Sequence, residues 1–346
     1  MPNKLKIALF IAFLTSENFF VQELIEKIFA VDETTFSQVA LEVFSYQYEN
    51  AEVYRSYCDL LKRNPSNVKS VYEIPFLPIE IFKTHQVISK QKAAEKIFES
   101  SGTTGQVTSK HFVADLILYE KSFTKCFELF YGNPNEFVIL ALLPSYLERE
   151  NSSVVYMAKN LTERSTQPLS GFFLNEYDKL FDALNELKRI KQKTILLGVT
   201  FALLDFSELH PINFPELIVM ETGGMKGRRE ELTREEVHAQ LKSALGVKQI
   251  HSEYGMTELL SQAYSSGEGI FKTPPWMKIF VRDVYDPLVL QPQNPTGGVN
   301  VVDLANLYSC SFIATGDLGK IKPDGSFEIL GRIDSAEIRG CNLMVM

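Results

Sequence analysis

Four hydroxyl side chains, Ser100, Ser101, Thr103 and Thr104, crowd around Gly102 and Gly105 in the segment Glu99-Ser-Ser-Gly-Thr-Thr-Gly-Gln106. The glycines let the backbone come close to a ligand and the hydroxyls add donors to the main-chain N–H groups, so such a loop can wrap a polyphosphate. It matches neither a Walker A loop nor a G-x-G-x-x-G turn, and an ordinary surface turn has the same composition. A second segment, His251-Ser-Glu-Tyr-Gly-Met-Thr-Glu258, offers the Tyr254 ring to a base, the Thr257 hydroxyl to a phosphate and the Glu258 carboxylate to Mg²⁺. Packing of the tyrosine and a solvated helix start at the glutamate are the blander alternatives. A third, Thr315-Gly-Asp-Leu-Gly319, leads to Leu330-Gly-Arg-Ile-Asp334. Asp317 can accept from two vicinal hydroxyls, and Arg332 is a fixed-charge donor for a ribose or phosphate oxygen. A capped tight turn and a surface salt bridge would use the same residues.

These segments need elements to hold them. From Phe19 to about Arg63 apolar residues such as Phe36, Val39, Ala40, Val43 and Phe44 recur at spacings of three and four, which predicts a helical layer. Lys96–Glu99 reads as a short strand before the hydroxyl-rich loop. The continuous apolar run Phe137–Leu143 predicts a strand covered on both faces. A helix from Ser152, a helix with Tyr177, Leu180, Leu184 and Leu187 on one face, and a strand at Thr194–Leu197 follow. Glu216–Glu221 is a further strand ending at Gly223-Gly224. The next helix starts at Thr233 with a capping-box Glu236 and stops at Gly246, before a strand beginning at Lys248. This alternation predicts a mostly parallel sheet flanked by helices, an α/β fold whose ligands sit beyond the carboxyl ends of the strands. After Lys278 short strands separated by turns such as Asn294–Gly298 and Pro323–Gly325 predict a small antiparallel β unit.

The expected organisation is a helical N-terminal region over 1–75 packed on the main domain, an α/β core over 76–277, an antiparallel subdomain over 278–334, and a hinge with a truncated C-terminus over 335–346. With 346 residues, 45% of them apolar and 23% charged, the chain has the composition of a globular protein. Its 35 Lys+Arg against 43 Asp+Glu give a net charge of −8, which lacks the electrostatic footprint of a nucleic-acid binder. Cys58, Cys126, Cys310 and Cys341 form no C-x-x-C pair, and the histidines show no zinc spacing, so free thiols in a cytoplasmic setting are expected. Lys4 and Lys6 flank an apolar run, Ile7–Leu14, that could pass for a short signal sequence; no small-residue cleavage site follows, and a buried helix accounts for it equally well. No stretch approaches the roughly 18 apolar residues of a spanning helix.

Taken in order, S-S-G-T-T-G, G-G after a strand, Y-G-M-T-E, T-G-D and G-R-x-D resemble the adenylate-forming superfamily of acyl-CoA synthetases, luciferases and peptide-synthetase adenylation domains. Leu142–Ser153, Glu221–Arg228 and Gly331–Gly340 look closest to the acyl-protein synthetase (LuxE) family of bacterial fatty-acid reductase complexes. From about residue 60 to the end, the resemblance implies the superfamily's large N-terminal domain without its small lid domain. It implies ATP-dependent activation of a carboxylic acid, fatty in that branch, as acyl-AMP with release of pyrophosphate, then acyl transfer to a thiol of coenzyme A or a protein cysteine. It further implies that Ser101, Thr103 and Thr104 hold the β and γ phosphates, with Gly102, Gly105 and Gly255 completing the nucleotide contacts. Gly223, Gly224 and Tyr254 would border the adenine, Thr257 the α phosphate, Glu258 the Mg²⁺, and Asp317 with Arg332 the ribose.

The superfamily's usual catalytic lysine lies on the lid domain, hinged at the aspartate of G-R-x-D, and only 12 residues follow Asp334 here. Either the chain is cut short or a lysine already present, Lys226 or Lys110, serves instead. Lys110 is the less secure of the two, because Gly105-Gln-Val-Thr-Ser-Lys110 departs from the common G-x-P-K. Cys341, beside Gly340, is the candidate acyl acceptor, with Cys310 behind it. An acyl reductase is the implied partner. A nucleotide- or acyl-adenylate-binding partner of such a reductase, without catalysis, is the alternative; a plain ATPase or kinase is opposed by the missing signatures. Phe112, Tyr146, Phe172 and Phe173 lie among the motifs and suit a fatty or aromatic acid or simple core packing.

Overall fold

Helices open the chain: α1 runs over 19–30, α2 over Phe36–Asn50 and α3 over Glu52–Leu60. The computed structural model describes residues 19–100, 107–144, 151–223, 232–291 and 296–333. On α2 the residues Phe36, Val39, Ala40, Val43 and Phe44 are buried, as their spacing predicts. Phe44 and Tyr54 pack on Phe312, far along the chain. The Gln47 side chain, fully buried, donates to the Asn306 and Leu307 carbonyls and accepts from Ser311 N–H. A buried amide with its hydrogen bonds made fixes where the helical layer docks.

The main body alternates in the expected order. Its elements are β1 (Leu77–Pro78), α4 (Ile81–Thr84), β2 (Lys96–Glu99), β3 (Lys110–Val113), α5 (Leu116–Tyr131), β4 (Val138–Leu142), α6 (Ser153–Ser165) and β5 (Gly171–Phe172). Then come α7 (Tyr177–Ile190), β6 (Thr194–Val199), α8 (Thr200–Leu209), β7 (Ile218–Thr222), α9 (Arg234–Leu245) and β8 (Ile250–Tyr254). Every residue of β4 and β6 is buried, which is why these strands read as unbroken apolar runs. The capping box at Thr233 and Glu236 forms as its spacing predicts, and Gly246 ends α9 in the left-handed conformation. Strands β4 to β8 pair in parallel, in the order β8-β7-β6-β4-β5.

The antiparallel strands continue this sheet edge to edge. They are β9 (Ala263–Ser265), β10 (Phe271–Lys272), β11 (Met277–Arg282), β12 (Thr296–Asp303), β13 (Phe312–Ile321) and β14 (Phe327–Arg332). Antiparallel pairing begins at β9 against β8, ahead of Lys278, and passes through β10 to β14, β13, β12 and β11, so 12 strands share one sheet. Strands as short as β9 and β10 carry too few residues for a period to show. Two expected turns resolve differently. Pro323–Gly325 is a turn, with Gly325 at φ +80°, whereas Thr296, Gly297 and Gly298 belong to β12. Strands β2 and β3 stand apart as a two-stranded antiparallel hairpin. No helix among the described residues is long and apolar enough to cross a membrane.

Candidate functional site

The hairpin β2–β3 presents the hydroxyl-rich loop. Glu99 lies opposite Lys110 in its register, and their side chains pair at 3.4 Å. The neck closes through Ser100 N–H to the Ser109 carbonyl at 3.0 Å and Ser109 N–H to Ser100 Oγ at 2.9 Å. Ser101, Gly102, Thr103, Thr104 and Gly105 lie outside the described residues, as do Gly224, Lys226 and Cys341. Lys110, the second lysine candidate, is engaged with Glu99.

Strand β8 delivers the second motif. The ring of Tyr254 is buried against Phe271 and Phe327, with centroids at 5.8 and 5.5 Å, and its hydroxyl donates to Asp317 Oδ2 at 2.8 Å. Beside it, β7 ends at Thr222 and is followed by Gly223, whose φ of +73° favours glycine. The Thr200 hydroxyl lies 2.8 Å from the Gly223 carbonyl and 3.0 Å from Glu221 Oε2. Burial pushes the Glu221 carboxyl up, but hydrogen bonds from His238, Ser252 and Thr200 outweigh it and hold the group below its ordinary value.

Beyond Tyr254 the chain turns through Gly255 to Thr257 and Glu258. The Glu258 carboxyl is buried and pushed up by that burial, while a hydrogen bond from the Ser109 side chain and the charges of Arg332 and Lys83 pull the other way. The turn is pinned from three sides. His111 of β3, 1% exposed, places Nδ1 2.8 Å from the Thr257 carbonyl and Nε2 3.1 Å from Asn306 Oδ1. Asn306 in turn gives its two amide hydrogens to the Glu258 and Cys310 carbonyls, both at 2.8 Å. Burial pushes His111 down to about 4, against the opposing pull of its contacts with the Thr257 carbonyl and the Asn306 side chain. Asp303, fully buried, accepts the N–H groups of Leu260 and Ser261 at 2.8 and 2.9 Å and the Ser261 hydroxyl at 2.6 Å.

The T-G-D segment lies within β13 rather than in a tight turn, and Asp317 stands opposite Arg332 of β14. Arg332 Nε is 3.6 Å from Asp317 Oδ1, with the arginine side chain 79% exposed and the aspartate largely buried. Burial raises the Asp317 carboxyl; the Tyr254 hydrogen bond and the charges of Arg332 and Arg282 oppose that rise. Arg282, buried, steadies the strand by donating to the Thr315 and Val299 carbonyls at 2.5 and 2.7 Å.

Hydrogen bonds and ion pairs thus join Tyr254, Asp317 and Arg332 directly, and backbone carries Tyr254 through Gly255 to Thr257 and Glu258, where the hairpin meets them. Gly223 lies on the neighbouring strand end. The sequence reading missed His111, Asn306 and Asp303. Asp303 and Asn306 are polar residues closing an apolar strand, which is a readable signal; the partners of His111 are 146 and 195 positions away and leave none. Cys310 is fully buried and its thiol is pushed far up, which removes it as an acyl acceptor; Cys58 is pushed up to about 12. Among the described residues no group of three His, Cys, Asp or Glu could hold a metal.

Comparison with known proteins places this geometry. Among curated proteins none matches the sequence. Among solved structures, ATP-bound MatB from Rhodopseudomonas palustris superposes with a TM-score of 0.53 at 20% identity, covering 68% of this chain and 47% of its own. A 2-hydroxyisobutyryl-CoA ligase in the postadenylation state, in complex with R3-HIB-AMP, gives 0.65 at 16% identity over 89% of this chain and 70% of that one. A long-chain-fatty-acid-CoA ligase (FadD1) from Archaeoglobus fulgidus gives 0.51 at 13% over 68% and 51%. The chain therefore has the fold of the adenylate-forming enzymes while spanning about half the length of MatB. The model of the family "Acyl-protein synthetase, LuxE" matches residues 23–346, nearly the whole sequence, and the chain belongs to that family.

Proposed function

We propose that this protein joins a carboxylic acid to AMP at the expense of ATP, releases pyrophosphate, and hands the acyl group to a thiol. A carboxylate resists nucleophiles because its charge repels them and oxide is a poor leaving group; the mixed anhydride with AMP removes both obstacles. Attack of the carboxylate on the α phosphorus loads charge onto phosphoryl oxygens and departing pyrophosphate. Catalysis is then largely positioning plus stabilisation by cations and N–H groups.

The observation that carries this reading is the tie between Tyr254, Asp317 and Arg332 on strands β8, β13 and β14, with Tyr254 four residues ahead of a buried Glu258. In it Asp317 and Arg332 hold the sugar, Gly223, Gly224, Tyr254 and Gly255 border the base, and Thr257 reaches the α phosphate. Ser101, Gly102, Thr103, Thr104 and Gly105 cradle the β and γ phosphates. Glu258 suits Mg²⁺, which takes one or two carboxylates and completes its shell from substrate phosphates and water, so a cage of protein ligands is not needed. Bound there, Mg²⁺ would neutralise charge on the phosphates. The charge-stabilising cation is Lys226 and the acyl-accepting thiol is Cys341, of this chain, with coenzyme A or a partner protein's cysteine as the other acceptors. The acid is fatty and the setting cytoplasmic, as the family's fatty-acid reductase complexes suggest.

The test is ATP–pyrophosphate exchange dependent on added acid, with hydroxamate trapping of the adenylate and intact-mass analysis for an adduct at Cys341. Exchange that falls at least 100-fold in Glu258→Ala supports the reading. ATP binding by calorimetry with no exchange for any acid from acetate to palmitate refutes it in favour of a binding partner without catalysis.

A further inference from the structure

The strand that carries Asp317 is irregular where it does so. Between the pairs Gly298–Leu318 and Asn300–Ala314, β12 has one residue, Val299, while β13 has three, Thr315, Gly316 and Asp317. A bulge of this kind re-aims side chains, and it takes main-chain groups out of the ladder that then need other partners. Each has one. The Val299 carbonyl accepts from the Thr315 hydroxyl at 2.8 Å and from Arg282 Nη1 at 2.7 Å, and the Thr315 carbonyl accepts from Arg282 Nη2 at 2.5 Å. Asp317 N–H donates to the Thr315 hydroxyl at 3.1 Å, and Ile333 N–H donates to the Gly316 carbonyl at 2.7 Å.

Arg282 is the hub of this arrangement. It closes β11 opposite Gly298 and is 8% exposed. A Cβ on Gly298 would lie 2.6 Å from its guanidinium carbon, so that glycine leaves the space the guanidinium fills. A third bond runs from Nη1 to Asn300 Oδ1 at 2.8 Å. All three acceptors are uncharged oxygens, and burial lowers the proton affinity of the guanidinium, with the charges of Glu80 and Asp317 opposing through space. Stability alone does not call for such a group, since an apolar side chain of similar volume generally serves a core as well or better. What an apolar side chain cannot do is hold carbonyls of two strands at once and place a positive charge behind Asp317.

We propose that Arg282 is a positioning residue for nucleotide recognition: with the Thr315 hydroxyl it holds the bulge in the shape that aims Asp317 at the vicinal hydroxyls of a ribose. It thereby sets how strongly the site prefers a ribonucleotide to a deoxynucleotide. The inference rests on the placing of the sugar at Asp317 and deepens it. Tyr254 and Arg332 meet the carboxylate themselves, whereas Arg282 acts on it through the strand and through its charge. Lysine is a poor substitute, because its compact ammonium lacks the planar fork that reaches Val299, Asn300 and Thr315 together.

Calorimetry of the full chain with ATP, 2′-deoxy-ATP and 3′-deoxy-ATP tests the proposal without knowledge of the acid. The natural protein should bind ATP at least about tenfold more tightly than one of the deoxy analogues, because a site built for a hydroxyl rejects the ligand that lacks it. Arg282→Lys should bring that ratio to within about threefold. Thr315→Val leaves the arginine in place, removes the hydroxyl between the Val299 carbonyl and Asp317 N–H, and should do the same. An arginine that serves only the fold would weaken all three nucleotides in proportion and leave the ratio intact, which overturns the proposal. Loss of the folded circular-dichroism spectrum in both variants overturns it too, as does a natural protein that binds the three nucleotides equally. The adenylation reading is judged apart from this: discrimination without acid-dependent exchange removes that reading and keeps the role of Arg282, and exchange without discrimination does the reverse.

Discussion

Replacing Glu253 with glutamine should stabilise the fold in alkaline solution and do little in acid. Burial lifts this carboxyl from 4.5 to about 7, against the weaker pull of the Thr222 hydroxyl. The folded state therefore favours the protonated form. Below pH 4.5 the group is neutral in both states and costs nothing. Between 4.5 and about 7 the unfolded chain ionises while the folded one holds its proton, and stability falls as pH rises. Above 7 the loss of stability is complete, roughly 3 kcal/mol. Glutamine keeps an acceptor for Thr222 and never titrates. The unfolding free energy of Glu253→Gln minus that of the natural protein should thus climb by about 3 kcal/mol from pH 4.5 to 8. Urea melts at a series of pH values report it, followed by the fluorescence of Trp276, the one tryptophan of the chain, which is buried and donates to Ser261 beside Gln262. A difference that stays flat within about 0.5 kcal/mol over that range would refute the placement of Glu253 as a buried, poorly compensated carboxyl.

His111 acts in the opposite sense. Burial pushes it down from 6.5 to about 4, so its contribution is complete above pH 6.5 and lost as pH falls towards 4, again about 3 kcal/mol; His111→Gln should flatten the acid limb of the stability profile, read by the same melts. Gly255→Ala places a methyl 2.3 Å from Glu253 Oε1, and exchange activity should fall at least about tenfold with the far-ultraviolet circular dichroism unchanged; full activity would mean the turn has room the structure does not show. Tyr254→Phe removes the hydrogen bond to Asp317 at 2.8 Å. It should cost about 1 kcal/mol in stability and raise KM for ATP more than it lowers kcat, and a change confined to kcat would place the tyrosine elsewhere in the reaction.

The α/β alternation was open to reading because each of its elements announces itself locally. Burial on both faces makes β4 and β6 apolar throughout, and the capping box of α9 is written in Thr233 and Glu236. The motifs proposed to hold the nucleotide were visible as residue types at fixed order. Hidden from the sequence was how they meet. Asp317 faces Arg332 because of a register between strands β13 and β14, and that register includes an irregularity between Leu318 and Gly319 that no local pattern announces. The pins on the Glu258 turn come from His111, Asn306 and Asp303, whose partners are set by tertiary packing and not by spacing. The same holds for Arg282: only its burial against the bulge of β13, a property of the folded chain, marks it out.

Two cations serve Asp317, and they are of different kinds. Arg332 is a guest at the surface, held across one strand pair at 3.6 Å and mostly bathed in solvent. Arg282 is built into the wall, its guanidinium fastened to main-chain oxygens of two neighbouring strands. The outer arginine thus shares its charge between the aspartate and water, while the inner one opposes the effect of burial on that carboxyl from a position its own main-chain bonds fix.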